Sequence, residues 1–279
     1  MSVILIANSK KYLSSADRTS LDLSSWKEDF RTTAKDYSSF DEIFDYLSKS
    51  KQRIALVDCT ASDVVPQYYP KLLREGIYIA TPNKKGFSGK LDLYDDILSS
   101  SKNTQTSAFH EATVGAGLPI ISTLKDLVDT GDKVVKIEGI FSGTLSYIFN
   151  VFGGGSAKFS EVVKEAKEKG YTEPDPRDDL NGMDVARKLT ILARLVGLSV
   201  EGPPSSSIFP IDSLIPSALE SVNSGDEFVA GLPAHDGEFD EKKSAAVKEG
   251  NVLRYVGSID VASGAIKVGL QTYFYAHLL

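Results

Sequence analysis

Residues 53–85, RIALVDCTASDVVPQYYPKLLREGIYIATPNKK, decide the fold of this chain. Two short apolar runs, at 54–57 and 77–80, flank a segment (68–73) whose apolar residues recur at helical spacing. Gly76 follows that segment, at a position where a left-handed residue commonly ends a helix. A strand, a helix and a second strand at this spacing predict a βαβ unit with a parallel sheet and a right-handed crossover.

Polar residues follow both strands of this unit. The segments 58–62 and 81–85 lie where the carboxyl ends of parallel strands form the ligand-binding edge of an α/β sheet. We therefore expect both segments to line a binding edge. Since lysine pairs are common in surface loops, a solvated loop remains the simpler interpretation of Lys84 and Lys85 from the residues alone.

Length and charge limit the classes of protein that this chain can be. It has 279 residues, of which 42% are hydrophobic and 25% charged, as in ordinary globular proteins. At ~150 residues per domain, this length predicts one large domain or two modest ones. Lysine and arginine number 31 against 38 acidic residues, for a net charge of −7. This acidic balance argues against a nucleic-acid or anionic-membrane partner.

The first residues form the apolar run 3–7, which predicts a short strand buried on both faces inside a parallel sheet. The run is too short for a signal peptide, and no stretch approaches the ~18 apolar residues that span a bilayer. The single cysteine, Cys59, cannot form an internal disulfide, which indicates a reducing compartment. We therefore expect a soluble, cytoplasmic protein.

The pattern changes after about residue 108, where longer helices and closing strands replace the βαβ alternation. We expect residues 1–109 to form a nucleotide-binding α/β domain with a Rossmann-like parallel sheet. Residues 110–279 are expected to form an α+β domain with a mixed sheet, for substrate binding, catalysis and dimerisation. Its expected elements are a helix through 120–127, a strand at 134–140, a helix from Ser142, a surface loop at 153–156, a charged helix at 162–169, a helix at about 182–197 and strands at 252–259 and 265–271.

The segment 170–182, GYTEPDPRDDLNG, carries the densest charge of the chain. Its two prolines predict a rigid loop rather than a packed helix, leading into the helix that bears Asp184 and Lys188. These two residues are four apart and share one face, in line with apolar positions. A surface ion pair worth about 0.3–0.5 kcal/mol and a partly buried lysine acting as general acid and base both remain open.

Two further segments have oxygen ligands that could hold a cation. Asp175, Asp178 and Asp179 match no EF-hand spacing and have Arg177 as an internal partner, so a solvated or salt-bridged loop is favoured over a divalent site. Glu111 precedes a glycine-containing turn whose carbonyls can point toward one centre, as a hard cation requires. A glycine hinge between domains explains that turn equally well.

Four stretches together resemble the signature of homoserine dehydrogenase, in the version found in fungal enzymes. They are 170–188, 80–85, 110–121 and 138–148, and the resemblance extends from about residue 2 to about residue 275. It implies NAD(P)-dependent interconversion of L-homoserine and L-aspartate 4-semialdehyde, in the pathway to threonine and methionine. It also implies a homodimer.

The resemblance assigns roles by position. Lys188 matches the residue that moves the hydroxyl proton while hydride passes to the nicotinamide, and Lys84 matches a second lysine near the reacting centre. Glu173 and Asp184 match substrate-binding carboxylates. Cofactor-edge positions are Thr60, Ala61, Thr81, Lys84 and Gly170. Glu111 with the carbonyls of Val114, Ala116 and Leu118 matches a monovalent-cation site for Na⁺ or K⁺.

Departures from the family pattern lead to a second expectation. The family's glycine-rich strand–turn–helix, which supplies amides to the pyrophosphate, and its C-terminal end are missing from this sequence. The alternative is therefore a truncated, catalytically impaired fragment that acts only as a binding or dimerising protein. If 3–7 is the family's second strand, the turn 8–11 after it carries no acidic residue, so NADP should be tolerated as well as NAD.

Overall fold

The chain forms two compact units in the computed structural model, which describes residues 1–203 and 210–274. The first unit consists of Met1–Gly86 and Asp92–His110. The second contains Phe87–Leu91 and the described residues from Glu111 onward. The roles of the two units in nucleotide and substrate binding remain predictions from the sequence.

The N-terminal segment of the first unit forms a small antiparallel sheet rather than part of a parallel one. Strand β1 (Leu5–Ala7) pairs with β2 (Lys11–Ser14), and β2 pairs with β3 (Lys35–Asp36), both antiparallel. The prediction of a doubly buried parallel strand at 3–7 is therefore wrong. The side chain of Asn8 accepts bonds from the N–H groups of Lys10 and Lys11 (2.8 Å each) and closes a tight hairpin.

This pairing also bears on the choice of nucleotide. The argument for NADP placed the turn 8–11 at the carboxyl end of a parallel strand. Because β1 pairs only within the antiparallel sheet in the described residues, that argument has no support from the strand order.

Residues 53–85 form the predicted parallel unit. Strand β4 (Ala55–Val57) pairs in parallel with β5 (Tyr78–Ala80), which pairs in parallel with β6 (Ala108–Phe109). The helix between β4 and β5 ends at Gly76, whose φ of +76° is the predicted left-handed stop. Helices of the first half are α1 (Trp26–Thr33), α2 (Phe40–Ser48), α3 (Tyr69–Arg74), α4 (Lys85–Ser88) and α5 (Leu91–Thr104).

The second unit is built on a three-stranded antiparallel sheet in the order β7 (Lys136–Gly139), β8 (Asn251–Asp260) and β9 (Ala265–Phe274). All three strands were predicted. The sheet is mixed only through an isolated parallel bridge between Ile211 and Val268.

Helices cover this sheet in the order in which the chain supplies them. They are α6 (Ile120–Asp129), α7 (Gly143–Gly154), α8 (Phe159–Glu168), α9 (Arg177–Leu180), α10 (Met183–Leu195), α11 (Gly225–Gly231) and α12 (Asp236–Lys248). Helices α7, α10 and α12 pack on β8, where the fully buried Phe149, Phe152 and Tyr255 form the core.

Two local predictions in this unit are wrong. Gly153 and Gly154, expected in a surface loop, are the last residues of α7, and Gly153 is buried close to Arg254. The segment 170–182, expected to lack helix, contains the single turn α9. Pro176 lies at the N-cap of α9, before the first residue whose N–H an internal helix position would need, so it does not prevent the turn.

Gly182, the N-cap of α10, is the tightest conformational constraint at the start of the charged helix. Its φ is +71°, and a Cβ there would overlap the hydroxyl of Tyr255. We predict that Gly182→Ala lowers the free energy of unfolding by about 2–5 kcal/mol, because backbone strain and overpacking add.

The matched control is Gly264→Ala between β8 and β9. Its φ is +70°, but no atom lies within 4 Å of the added Cβ. Only the backbone term of about 1–2 kcal/mol should then remain. Urea unfolding followed by circular dichroism measures both variants, and equal losses of stability would contradict the packing argument.

Candidate active site

A buried hydrogen-bond network lies at the carboxyl ends of β4 and β5. Asp58, only 3% exposed, accepts bonds on Oδ2 from the hydroxyl of Tyr69 (2.5 Å) and the side-chain amide of Asn83 (3.1 Å). Its Oδ1 accepts a bond from the N–H of Thr60 (2.8 Å). Burial, together with the neighbouring carboxylate, raises the pKa of Tyr69, so the phenol remains a donor. The network fixes the loops that follow both strands.

The predicted cofactor-edge residues of this unit differ in what they expose. Thr60 and Ala61 are exposed at the sheet edge. Thr81 is buried, and its hydroxyl donates to the carbonyl of Asp58 (2.8 Å) and accepts a bond from the N–H of Asn83 (2.8 Å). Because that hydroxyl is already used, a cofactor role for Thr81 would have to come from its backbone.

The two lysines of the second loop are in different environments. Lys85 donates to the carboxylate of Asp63 at 2.6 Å, and Asp63 is largely exposed, so this is a solvated surface pair. Lys84 is half-buried and lies between Asn83 and Lys85, two residues whose positions the network sets. The interpretation as a solvated loop therefore describes Lys85 but not its neighbour.

In the second unit, Asp184 and Lys188 form the predicted pair on α10. The Nζ of Lys188 lies 2.6 Å from Oδ2 of Asp184 and donates to the carbonyl of Phe141 at 2.6 Å. The lysine side chain is 16% exposed and that of Asp184 is 44% exposed. A freely solvated surface pair does not describe this geometry, because the ammonium is largely enclosed and held from two sides.

Asp179 belongs to the same cluster, although the sequence did not single it out as a substrate ligand. Its Oδ2 accepts a bond from the N–H of Glu173 (2.8 Å), and the hydroxyl of Thr144 donates to the carbonyl of Tyr171 (2.6 Å). Burial raises the pKa of Asp179, and the charge of Asp184 adds to the shift, against the hydrogen bonds it accepts. Two carboxylates and one ammonium thus lie at the start of α10, with the exposed Glu173 beside them.

The charged loop before α10 is anchored by an arginine. The guanidinium of Arg177 forms a fork on the carboxylate of Asp175 (2.6 to 3.1 Å) and donates to the carbonyls of Glu220 and Val222. This contact lowers the pKa of Asp175. The salt-bridged interpretation is confirmed for Asp175, and within residues 1–203 and 210–274 no cluster of three or more acidic, histidine or cysteine side chains is placed to hold a metal.

Glu111 binds the first turn of α6. Its carboxylate accepts bonds from the N–H groups of Ile121 (2.8 Å) and Ser122 (3.0 Å). The turn that follows Glu111 has positive φ at Gly115 (+79°) and Ala116 (+52°), which rotates successive carbonyls away from a regular path. The donor chemistry, one carboxylate with main-chain carbonyls, fits a hard cation.

The other expected ligands of that turn differ in exposure. Val114 is buried at 1% exposure, whereas Leu118 is exposed and its carbonyl accepts a bond from the N–H of Ile120 (2.9 Å). Gly170 has a separate structural role, since its φ of +70° ends α8 and its N–H bonds to the carbonyl of Lys167 (3.0 Å). The cofactor role of Gly170 and the cation role of the turn remain predictions.

The predicted site residues divide between the two units. Thr60, Ala61, Thr81 and Lys84 belong to the first, and Glu111, Gly170, Glu173, Asp184 and Lys188 belong to the second. Within the second unit, hydrogen bonds and charge bring Asp179, Asp184 and Lys188 together with the backbone of Glu173. The buried partners Asp58 and Tyr69 were missed, although an acid directly after a buried strand was a usable signal.

Family models match both parts of the chain. A model described as homoserine dehydrogenase, NAD binding domain, matches residues 1–111, and a model described as homoserine dehydrogenase matches residues 119–279. None of the helices within the described ranges is long and apolar enough to cross a bilayer. The parallel sheet edge, the lysine–carboxylate cluster and these matches define an NAD(P)-dependent oxidoreductase.

Similar proteins extend beyond this chain. Homoserine dehydrogenase of Schizosaccharomyces pombe is 52% identical and covers 99% of the chain, which spans 73% of that protein. The enzyme of Saccharomyces cerevisiae is 48% identical over 99% of the chain and 77% of its own length. A crystal structure of a Candida auris protein of unknown function, 47% identical, superposes with a TM-score of 0.90 over 99% of this chain and 77% of that one. The chain belongs to the homoserine dehydrogenase family.

The raised pKa of Asp179 predicts a stability that depends on pH. Since its pKa in the folded chain lies above the ordinary value of 3.8, folding becomes less favourable as the pH rises through the interval between them. Asp179→Asn should therefore be more stable than the parent at neutral pH, with the difference vanishing below pH 3.8. Turnover should fall roughly 10- to 100-fold, because the cluster loses one negative charge and its geometry shifts.

Asp178→Asn is the matched control, since Asp178 is exposed on the same turn. Its free energy of unfolding should change by less than about 0.5 kcal/mol at neutral pH. Thermal unfolding at a series of pH values, together with initial rates, measures both variants. An Asp179→Asn protein that is less stable at every pH would contradict the assignment of a buried, destabilised carboxylate.

Proposed function

We propose that this chain catalyses the NAD(P)-dependent interconversion of L-homoserine and L-aspartate 4-semialdehyde, on the route to threonine and methionine. The observation that carries the proposal is the enclosed ammonium of Lys188, held between Asp184 and the carbonyl of Phe141. Homoserine dehydrogenases more than 45% identical over nearly the whole chain support the same reaction. No similarity favours the alternative of a fragment that only binds or dimerises.

The substrate chemistry fits the charges of this cluster. Homoserine carries an ammonium group, which Glu173, Asp179 and Asp184 would bind through their carboxylates. The hydroxyl that is oxidised must lose a proton as its carbon loses hydride, so a positioned basic group has a defined task. We assign that proton to Nζ of Lys188, with Lys84 as the second lysine near the reacting centre.

The residues that would hold the nucleotide lie on the parallel sheet of the first unit. Thr60 and Ala61 are exposed at the carboxyl end of β4, and the backbone of Thr81 follows β5, which is where such sheets bind nucleotides. We propose Gly170 as a further contact. When NAD or NADP is bound, its nicotinamide accepts or supplies the hydride.

We also propose a monovalent cation, Na⁺ or K⁺, held by Glu111 and the carbonyls of Val114, Ala116 and Leu118. The positive φ values of Gly115 and Ala116 support this set, because they give the carbonyls unusual directions. A single carboxylate among neutral oxygens balances a charge of +1 better than one of +2.

A homodimer is proposed for the assembly. Strand β9 has ten residues paired with β8, and along its other edge the described residues provide only the bridge at Ile211. Phe274 at its end is 57% exposed. An open edge of this kind can pair with a second copy. We place the protein in the cytoplasm, since its single cysteine suits a reducing compartment.

Lys188→Ala tests the reaction. Homoserine-dependent reduction of NADP or NAD should fall about 10²- to 10⁴-fold in kcat with little change in KM, because proton transfer loses its positioned group. Absorbance of the reduced nicotinamide measures the rate.

Lys164→Ala is the control, because Lys164 also forms an i,i+4 pair, with Glu168, but both side chains are 66% exposed. Its turnover should stay within about 2-fold of the parent, as surface pairs contribute little. A Lys188→Ala protein with near-normal turnover would remove Lys188 from proton transfer. Absence of turnover in the parent chain would instead favour the impaired fragment.

Cation binding is tested through stability. Sodium or potassium chloride should raise the Tm relative to tetramethylammonium chloride at equal ionic strength, by an amount equivalent to about 2.7 kcal/mol when the cation is present at 100 times its Kd. In Glu111→Gln, which keeps one acceptor for the first turn of α6, the difference should disappear. Equal Tm values of the parent in all three salts would contradict the site.

A further inference from the structure

The side chain of Asn83 encloses Lys84 in a hydrogen-bonded turn. Its Oδ1 accepts a bond from the N–H of Lys85 (3.1 Å), which is an Asx turn with Lys84 at its centre. On the other side, the N–H of Asn83 donates to Oγ1 of Thr81 (2.8 Å). The backbone that carries Lys84 is therefore set from both directions by side-chain hydrogen bonds.

The other end of the Asn83 amide is anchored in the interior of the first unit. Its Nδ2 donates to Oδ2 of Asp58 (3.1 Å) and to the carbonyl of Ser62 (3.0 Å). Asn83 is 4% exposed, and Tyr69, which donates to the same oxygen of Asp58, is completely buried. All four hydrogen-bonding capacities of the asparagine side chain are not needed for packing, yet three printed bonds fix its orientation.

Burying a carboxylate to hold an amide is costly unless every partner is satisfied. An apolar contact between the loops after β4 and β5 would fill the same space, but it would not define the direction of the chain at Lys84. The network instead links the loop 58–62 to the loop 81–85 through one side chain. Since an error of about 1 Å in a reacting group can cost roughly 10²-fold in rate, such a link has a functional consequence.

We propose that Asn83 is a positioning residue for Lys84: its amide, anchored on Asp58 and Ser62, fixes the backbone from which that lysine reaches the reacting centre. The proposal rests on the function proposed above for Lys84. Asn83 acts through Lys84 and has no contact of its own with the substrate in this account.

A double-mutant cycle tests this dependence. Asn83→Ala should lower kcat about 10- to 100-fold with KM for homoserine within about 3-fold, because a displaced lysine affects the reaction more than binding. In the Lys84→Ala background the same substitution should cost less than about 3-fold, since the group it positions is gone. Independent, multiplicative effects of the two substitutions would overturn the proposal.

Tyr69→Phe separates positioning from folding. It removes one donor to Asp58 and should lower the Tm, but it leaves the bonds of Asn83 to Asp58, Ser62 and Lys85 in place. Its kcat should therefore stay within about 3-fold of the parent. A fall in kcat that follows Tm across the Asn83 and Tyr69 variants would show a merely structural network and would overturn the proposal.

A measurement without turnover completes the test. Amide hydrogen exchange followed by NMR should show the Lys85 N–H exchanging at least about 10-fold faster in Asn83→Ala, and at the parent rate in Tyr69→Phe. Unchanged protection in Asn83→Ala would overturn the proposal. If the parent chain shows no homoserine-dependent turnover, the proposed function fails, and the exchange of Lys85 alone decides whether Asn83 sets this turn.

Discussion

Burial of charged groups beneath the loops is the constraint on which the rest of this structure depends. Asp58 in the first unit and Arg194 in the second are both about 95% or more buried, and each needs a full set of partners. Arg194 donates to the carbonyls of Phe87, Gly89 and Val200. Among the described residues, no buried side-chain nitrogen or oxygen lacks a hydrogen-bond partner. Loops bound in this way hold functional groups at fixed positions.

The proposed chemistry follows from the same constraint at the start of α10. The ammonium of Lys188 has a carboxylate on one side and a carbonyl on the other, while burial raises the pKa of Asp179 nearby. Charges held close together in a poorly solvated place are unfavourable for stability and favourable for binding a charged substrate. The anchor of Arg177 on Asp175 keeps this loop in place without a metal ion.

Much of this arrangement could be predicted from the sequence because local patterns encode it. The spacing of 53–85 predicted the parallel unit, and the four-residue interval predicted the pair of Asp184 and Lys188. Partners distant in sequence were not predictable in this way. The hairpin at Asn8 depends on a side chain capping two amides, and the link from Asp58 to Asn83 joins residues that only the folded sheet brings together.

The central claim is that this chain transfers hydride from the carbinol carbon of homoserine to a nicotinamide. Incubation with NADP or NAD and homoserine deuterated at that carbon, followed by mass spectrometry of the recovered nucleotide, tests it most directly. The account predicts one deuterium in the reduced nicotinamide ring and aspartate 4-semialdehyde as the other product. Reduced nucleotide without deuterium, or no reduced nucleotide at all, would contradict it.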